Sequence, residues 1–293
     1  MRSIPGSLST SLLFLAYCLF ILWSVLQCRF KIMEDGASHR FADVGNKRDG
    51  CRKLRVVHIS DTHMEHDNIV NEIPPGDVIV HSGDFSKRRF MNFFYNDHSD
   101  TEMLRKVNSF FNQLPHRYKI FVAGNHDTFL TQYSAEEIQK RLPDVTYLQD
   151  SSVVCEGIRF YGSPWTIKSK KIKTSKAFTV ADTVLRERWG AVDKDTDVLI
   201  THTPPYGVLD YSRHLGDSPP ESVCQFCDKL HPRAGHAGSF SLREAVLPTI
   251  RPKVHLFGHL HGSAGLTEYD GITFSNAAFA SKRKFNVIDI YSS

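Results

Sequence analysis

The stretch VVHISDTHMEH, residues 56–66, joins a short apolar run to a sudden cluster of ionisable side chains. Its first residues, up to Ile59, have the Val- and Ile-rich character of a buried β-strand. Asp61 and His63 follow this strand directly. A single Asp-x-His tripeptide carries a high risk of a chance match. Its meaning therefore depends on whether other strands of the chain end in the same way.

Four further apolar runs end in potential metal ligands. They are DVIVHSGD (77–84), YKIFVAGNHD (118–127), DVLITHTPP (197–205) and KVHLFGHLHG (253–262). Each run is short and bounded by Gly, Pro or Asp, which is typical of a buried strand. Because loops at the carboxyl ends of strands in open α/β sheets converge on one crevice, we expect a single site. Its candidate residues from these runs are Asp84, Asn125, His126, His202, His259 and His261.

The chemistry of these side chains indicates the kind of site. Asp, His and Asn without a thiolate suit two divalent metal ions such as Mn, Fe, Zn or similar, and exclude a sulfur-ligated cluster. Two ions about 3.5–4 Å apart generate hydroxide and offset charge during displacement at phosphorus. Glycine precedes Asp84, Asn125 and His259, which lets the backbone turn sharply where a ligand must point inward.

The motifs D-x-H, G-D, G-N-H-D, an isolated H and G-H-x-H, in this order over residues 61–261, resemble the calcineurin-like metallophosphoesterases. The segments FFNQLPHRYKIFVAGNHDTF (110–129) and YLQDSSVVCEGIRFYGSPWT (147–166) are similar to the metallophosphoesterase domain-containing branch. That branch consists of small enzymes that hydrolyse phosphodiesters, including cyclic nucleotides. The resemblance covers roughly residues 52–290 and implies an α/β layered sandwich of two mixed β-sheets flanked by helices.

The resemblance also implies a role for each candidate residue. The expected metal ligands are Asp61, His63 and His261 for the first ion, Asn125, His202 and His259 for the second, and Asp84 as the bridge. His126 is expected to act on the substrate phosphate as general acid or transition-state stabiliser. The protein-phosphatase branch has an Asp three residues after the bridging Asp, where this chain has Lys87. A protein phosphatase is therefore disfavoured, and the group that orients His126 stays open, with Asp127 as the adjacent candidate.

The expected function is hydrolysis of phosphodiesters by a metal-activated hydroxide. The alternatives are a phosphomonoesterase, or a low-activity regulatory protein that binds metal or nucleotide. Retention of both His259 and His261 argues against an inactive member. The chain has 293 residues, 41% hydrophobic and 23% charged, which is ordinary for one enzyme-sized domain. Its formal charge of +4 is too small to indicate nucleic-acid binding, so the expected partner is a small phosphoester.

The N-terminal segment differs in kind from the rest of the chain. From Ser3 to Cys28 there is no charged residue, and LLFLAYCLFILWSVL is almost entirely apolar. An apolar helix of this length is sufficient to span a bilayer. We expect residues 1–31 to be a transmembrane anchor or uncleaved signal-anchor, 32–52 a linker and 53–293 the metallophosphoesterase domain.

The charges that flank this segment predict its orientation. The preceding flank carries Arg2, and the following flank carries Arg29, Lys31, Arg40, Lys47 and Arg48. The positive-inside rule then places the catalytic domain in the cytoplasm as part of a single-pass membrane protein. The alternative is a cleaved signal peptide and a secreted protein, although no A-x-A-like cleavage site follows the apolar run.

A second group of possible ligands lies in CQFCDKLHPRAGH, residues 224–236. Cys224 and Cys227 form a C-x-x-C pair with His231 and His236 close behind. Four such residues can form a small zinc site. The alternative is an irregular lid loop in which these cysteines and histidines bind no metal. The segment follows His202, so either interpretation places it beside the substrate.

Overall fold

The computed structural model describes residues 31–32, 39–45, 52–87, 100–168, 177–212 and 235–292. Its strands are β1 (Lys31–Ile32), β2 (His39–Val44), β3 (Arg52–Ile59), β4 (Val78–His81), β5 (Tyr118–Phe121), β6 (Thr146–Tyr147), β7 (Ser151–Cys155), β8 (Ile158–Ser163), β9 (Thr166–Ile167), β10 (Thr179–Val180), β11 (Val198–Thr201), β12 (Tyr211–Ser212), β13 (Gly235–His236), β14 (Val254–Phe257), β15 (Gly265–Tyr269), β16 (Ile272–Asn276) and β17 (Phe285–Ser292). Its α-helices are α1 (His66–Ile69), α2 (Asp100–Asn112), α3 (Ala135–Arg141), α4 (Asp182–Gly190), α5 (Phe240–Ala245) and α6 (Phe279–Lys282).

Six strands form one mixed sheet in the order β2-β17-β3-β4-β5-β6. The strands β3 to β6 run parallel to one another, and β17 is antiparallel to β3. Every residue of β4 is buried, because this strand is covered on both faces. The apolar runs that predicted β3, β4 and β5 therefore lie side by side in the centre of one sheet.

Seven strands form the second mixed sheet in the order β1-β15-β16-β14-β11-β8-β7. Its central strands β16, β14, β11 and β8 are parallel, while β15 and β7 pair in antiparallel fashion with their neighbours. Two short pairs, β9 with β10 and β12 with β13, lie outside the large sheets.

The two sheets pack face to face around a shared apolar core. This core includes Val56, Val78 and Ile120 from the six-stranded sheet and Phe160, Ile200 and Leu256 from the seven-stranded sheet. The buried face of α2 packs on the other side of the six-stranded sheet, while α4 and α5 cover the seven-stranded sheet. The predicted layered sandwich of two mixed sheets flanked by helices is confirmed.

The sheets meet where their parallel strands end. An isolated parallel bridge joins Ser60, just after β3, to Ala278, just after β16. The Ser60 amide donates to the Ala277 carbonyl at 3.1 Å, and the Phe279 amide donates to the Ser60 carbonyl at 2.9 Å. The carboxyl ends of both sheets therefore deliver their loops to one edge of the sandwich.

Residues His39–Val44 lie inside the predicted linker 32–52 but form β2 at the edge of the six-stranded sheet. They pair in parallel with Phe285–Ile290 of β17. The linker prediction is corrected for these residues: their backbone groups complete the open ladder of β17, which depends little on side-chain polarity.

The apolar run 3–28 lies outside the described residues. Within the described ranges, no helix is both long and apolar enough to cross a bilayer.

Candidate metal centre

The predicted ligands lie in the loops that follow the central strands of both sheets. Six of them form two clusters, Asp61 with His63 and His261, and Asp84 with His202 and His259. Within each cluster the potential ligand atoms all lie within 4.8 Å of one another. The two clusters are also directly joined, because the backbone amide of His63 donates to the carbonyl of Asp84 at 3.2 Å.

The first cluster places two imidazoles against one carboxylate. His261 Nε2 lies 3.1 Å from Asp61 Oδ1 and 3.1 Å from His63 Nε2. His63 Nδ1 lies 3.0 Å from the carbonyl of Ser86, to which it can only donate. This bond leaves the lone pair of His63 on Nε2, which is the atom that faces the cluster.

The second cluster uses the same device for its buried histidine. His202 Nδ1 donates to the carbonyl of Ser82 at 2.8 Å, so Nε2 is the ring nitrogen that faces Asp84 Oδ2, 3.3 Å away, and the one that a metal ion would bind in place of a proton. His259 packs against His202 with ring centroids 5.1 Å apart. A carbonyl that accepts from the remote ring nitrogen is the arrangement expected of a histidine ligand.

Asn125 provides the clearest sign that a cation belongs here. Its side chain is buried, yet neither its oxygen nor its nitrogen has a hydrogen-bond partner among the described residues. An amide left in this state costs free energy unless another group satisfies it. Ligation of a divalent ion by the amide oxygen would do so, and the neighbouring donors are the carboxylates and imidazoles that such ions accept. The residues present therefore fit a dinuclear metal site.

The electrostatics of the two carboxylates agree with this fit. Burial raises the pKa of Asp61, but the His261 hydrogen bond and nearby histidine charges outweigh it and lower that pKa overall. Burial also raises the pKa of Asp84, but the charge and hydrogen bond of His202 outweigh burial and lower that pKa overall. Burial lowers the pKa of His202, but the nearby Asp84 carboxylate has the larger opposite effect and raises that pKa to about 9. Both carboxylates are thus ionised at neutral pH, the form that binds cations.

The backbone turns that present the ligands are strained. Asp61, His63, Asp84 and His259 have φ of 54°, 46°, 55° and 67°, in the left-handed region that non-glycine residues seldom adopt. Such conformations cost free energy and cluster at functional sites, where the surrounding fold holds them in place. Four of the twelve described non-glycine residues with positive φ are thus predicted ligands.

The glycines that precede three of the ligands have a further reason to be there. A Cβ on Gly124 would collide with the carboxylate of Asp84, and one on Gly258 would collide with Asp61. Only Gly83, with φ of 106°, also needs the conformational freedom of glycine. The sequence suggested that these glycines allow a sharp turn. At Gly124 and Gly258 the main reason is instead that a neighbouring ligand approaches too closely for any side chain.

His126 reaches both clusters. Its ring lies edge-to-face against His63 with centroids 5.2 Å apart, and its Nε2 lies 3.7 Å from Asp84 Oδ2. Its backbone amide donates to Asp84 Oδ1 at 2.7 Å. The side chain is 18% exposed, whereas that of Asp84 is 2% exposed, so a substrate can meet the imidazole.

Two residues near the ligands have roles that the motifs did not reveal. Asp127 is buried and its carboxylate accepts backbone amides of Asp84 and Gly124, so it does not orient the His126 ring. Ser60 donates from its hydroxyl to Asp61 Oδ2 at 2.6 Å. Only the position of Asp127 beside His126 and of Ser60 beside Asp61 hinted at these contacts in the sequence.

The second group of possible ligands is only partly visible. His236 is buried and forms a hydrogen bond through Nδ1 with the buried carboxylate of Asp210. Cys224, Cys227 and His231 lie outside the described residues. The zinc interpretation of this segment therefore stays a prediction.

Comparison with known proteins extends these observations. The family profile described as calcineurin-like phosphoesterase matches residues 54–263. A UPF0046 protein of Caenorhabditis elegans is 34% identical over 248 residues, which span 80% of this chain and 72% of that protein. Metallophosphoesterase domain-containing protein 1 of Homo sapiens is 30% identical over 247 residues, 76% of this chain and 65% of that protein.

Comparison with solved structures agrees on the fold. One protein of known crystal structure is similar to this chain, with a TM-score of 0.57 and 16% sequence identity. The superposition covers 81% of this chain and 95% of that protein's chain. At this identity the similarity shows a shared architecture only. Because the family profile spans most of the chain and includes every predicted ligand, this protein belongs to the calcineurin-like phosphoesterase family.

Proposed function

We propose that this chain is a metal-dependent phosphodiesterase that hydrolyses small phosphodiesters, cyclic nucleotides included. The observation that carries the proposal is the position of His126 at the junction of two adjoining His and carboxylate clusters. An imidazole that reaches both clusters and is partly exposed is placed to act on a substrate bound between them. Two adjoining clusters with a separate, partly exposed imidazole beside them suit displacement at a phosphate ester.

The proposed division of labour follows the two clusters. Asp61, His63 and His261 would hold one ion, Asn125, His202 and His259 the other, and Asp84 would contact both. Two such ions supply an activated water and positive charge for the phosphate oxygens.

The residues of the chain do the remaining work. The carbonyls of Ser86 and Ser82 fix His63 and His202 in the tautomer that presents Nε2. His126 then donates a hydrogen bond or a proton to an oxygen of the phosphate, most usefully to the leaving oxygen. The backbone amide of His126 donates a hydrogen bond to the Asp84 carboxylate. This bond fixes the proposed general acid relative to the proposed bridging carboxylate.

The preference for diesters over monoesters rests on relatives. The segments 110–129 and 147–166 resemble the branch that hydrolyses phosphodiesters. The human relative that shares 30% of the aligned residues carries the name metallophosphoesterase domain-containing protein 1, which names no substrate. The structure supports the phosphoester class, and substrate measurements must decide within it.

A substrate panel tests the proposal directly. Full-length protein with added Mn²⁺ is assayed on bis(4-nitrophenyl) phosphate, on 4-nitrophenyl phosphate and on 3′,5′-cyclic nucleotides. Asp84→Asn serves as the inactive variant, and Asp195→Asn, at an exposed carboxylate (68% exposed), as the matched control. We expect kcat/KM for the diester to exceed that for the monoester. Faster monoester turnover would indicate a phosphomonoesterase, and bound metal without any turnover a regulatory protein.

A further inference from the structure

A line of buried polar side chains runs through the sandwich behind the metal centre. It begins at Arg40 on β2 and ends at Ser82, in the loop after β4. Its five members are Arg40, Asn286, Ser275, His58 and Ser82, and their exposed fractions are between 0% and 4%. They come from both sheets, so the line crosses the apolar core that the sheets share.

Each member is within hydrogen-bond distance of the next. Arg40 Nη1 lies 3.0 Å from Asn286 Oδ1, and Asn286 Nδ2 lies 2.8 Å from Ser275 Oγ. Ser275 Oγ lies 2.7 Å from His58 Nδ1, and His58 Nε2 lies 2.9 Å from Ser82 Oγ. The line is thus a continuous hydrogen-bond chain.

The first member sets the direction of the two bonds nearest to it. A guanidinium can only donate, so Asn286 accepts through Oδ1 and donates through Nδ2 to Ser275. The Ser275 hydroxyl accepts that bond and can donate its own proton to Nδ1 of His58. His58 then carries its proton on Nε2 and donates to Ser82. This tautomer of His58 gives each bond of the chain one donor and one acceptor.

The last member touches the metal centre. The carbonyl of Ser82 accepts the Nδ1 proton of His202 at 2.8 Å, while its amide donates to the Ile59 carbonyl at 3.0 Å. With its hydroxyl held by His58, Ser82 is fixed through three polar groups. Asp84 lies two residues further along this loop. The Ser82 carbonyl is thus the point at which the chain contacts a proposed metal ligand, His202.

Stability alone is a weak reason to keep such a chain in a core. Burying a guanidinium and several neutral polar groups costs free energy, and well-packed apolar replacements are often equally stable. We infer that Arg40, Asn286, Ser275 and His58 are positioning residues of the metal centre, which act by fixing Ser82 so that His202 presents Nε2 to a cation. This inference rests on the proposed function only in assuming that the centre binds divalent ions.

Metal affinity of the full-length protein tests the inference. His58→Phe and Ser275→Ala, which act through Ser82, should each weaken Mn²⁺ binding, measured by titration calorimetry, by about 10-fold, the lower end of the range for a direct partner of a ligand. Arg40→Met should weaken it less, and Arg40→Lys should restore part of the loss because a donor is kept. The matched control is His116→Phe, which removes a buried histidine bonded to the Pro74 carbonyl and should leave Mn²⁺ affinity unchanged.

A measurement on the wild-type protein guards against variants that fail to fold. The long-range ¹H–¹⁵N correlation spectrum of ¹⁵N-labelled protein reports which ring nitrogen of His58 is protonated. We expect the Nε2–H tautomer. A mixture of exchanging tautomers would show that the chain does not hold the His58 ring in place and would overturn the inference.

The outcomes separate this inference from the proposed function. Folded His58→Phe and Ser275→Ala proteins that bind Mn²⁺ as tightly as wild type would show that the chain is structural only, whatever the catalytic activity. A protein that binds Mn²⁺, loses affinity in these variants and hydrolyses no phosphoester would support the inference while the proposed function fails. Wild-type protein without affinity for divalent ions would overturn both.

Discussion

The carboxylate of Asp127 accepts the backbone amide of Asp84 at 2.9 Å, across the gap between the loops that follow β4 and β5. The same carboxylate accepts the amides of Ser86 at 2.9 Å and Gly124 at 2.8 Å. Although Asp127 is adjacent to His126 in sequence, it binds the backbone around the proposed bridging ligand. It thus holds two ligand loops at a fixed separation.

Replacement of Asp127 by Asn should therefore loosen the centre. At least one of three amides would face the new NH₂ group and lose its acceptor. Each lost hydrogen bond to a charged group costs about 1.5–3 kcal/mol of unfolding free energy. Urea denaturation and Mn²⁺ titration should show lower stability and weaker binding, whereas Asp144→Asn, at an exposed carboxylate, should show neither. Wild-type values in Asp127→Asn would refute the role of this carboxylate.

Asp84→Asn should reduce turnover more than the loss of any other proposed ligand. Its carboxylate lies against His202 and His126 and receives the His126 amide, so a lost charge weakens both clusters together. Metal content of the purified variant, measured by inductively coupled plasma mass spectrometry, should fall for both ions. A variant that keeps two tightly bound metals and a near-normal rate would show that Asp84 is not the bridge.

His126→Ala should lower kcat by about 10²–10⁴-fold, the usual contribution of a general acid. Metal content should stay at the wild-type value, because His126 lies outside both ligand clusters. The loss should be smaller for a nitrophenolate leaving group, which needs less protonation than an alkoxide. Metal and turnover are measured on the same preparation, and joint loss of both would make His126 a ligand.

Acid should destabilise the metal-free protein partly through His255. This side chain is fully buried in β14, and burial lowers its pKa to about 3 from the ordinary 6.5. Below pH 6.5 the unfolded chain binds a proton that the folded chain does not, so stability falls as pH falls from 6.5 toward 3. The slope contributed by one such group approaches about 1.4 kcal/mol per pH unit.

His255→Leu should remove that contribution. The Thr201 hydroxyl, which bonds His255, also donates to the Thr203 carbonyl and so keeps a partner. Denaturation curves of wild type and variant are compared between pH 6 and pH 4, with pH 8 to 9 as the internal control where both slopes should agree. Equal slopes in the acid range would mean that His255 is protonated in the folded protein.

We propose that the apolar run 3–28 of the predicted anchor crosses a membrane, with the catalytic domain in the cytoplasm; Lys31, at the end of that segment, pairs with Glu268 in β15. The full chain should stay in the pellet after alkaline carbonate extraction, and release would favour a cleaved signal or peripheral association. A chain that starts at residue 38 should be soluble and active. One that starts at residue 50 should be less stable, because it lacks β2, which pairs with six residues of β17.

The strand ends and their ligands could be predicted from the sequence, because both depend on local patterns. The apolar part of DVIVHSGD predicts a buried strand, and the residues that follow it must leave the strand at its carboxyl end. The apolar face of α2 follows from the same kind of local periodicity. Convergence of the loops then follows from the general geometry of parallel strands. One converging site with candidate metal ligands was thus predictable from local patterns, while the two-sheet sandwich and the role of each ligand were implied by the family resemblance.

Tertiary structure alone decided which groups hold those ligands. The contact of His63 with His261 joins residues 198 positions apart, and the Arg40–Asn286 bond joins residues 246 positions apart. Asp127 accepts hydrogen bonds from backbone amides, and Gly124 leaves room for the carboxylate of Asp84. Strand β2, which lies in a charged segment, completes the edge of a sheet. Local periodicity carries no information on these contacts, because a polar residue in a strand looks the same whether its partner is solvent or a side chain from the other sheet. Packing of the two sheets selects the partner.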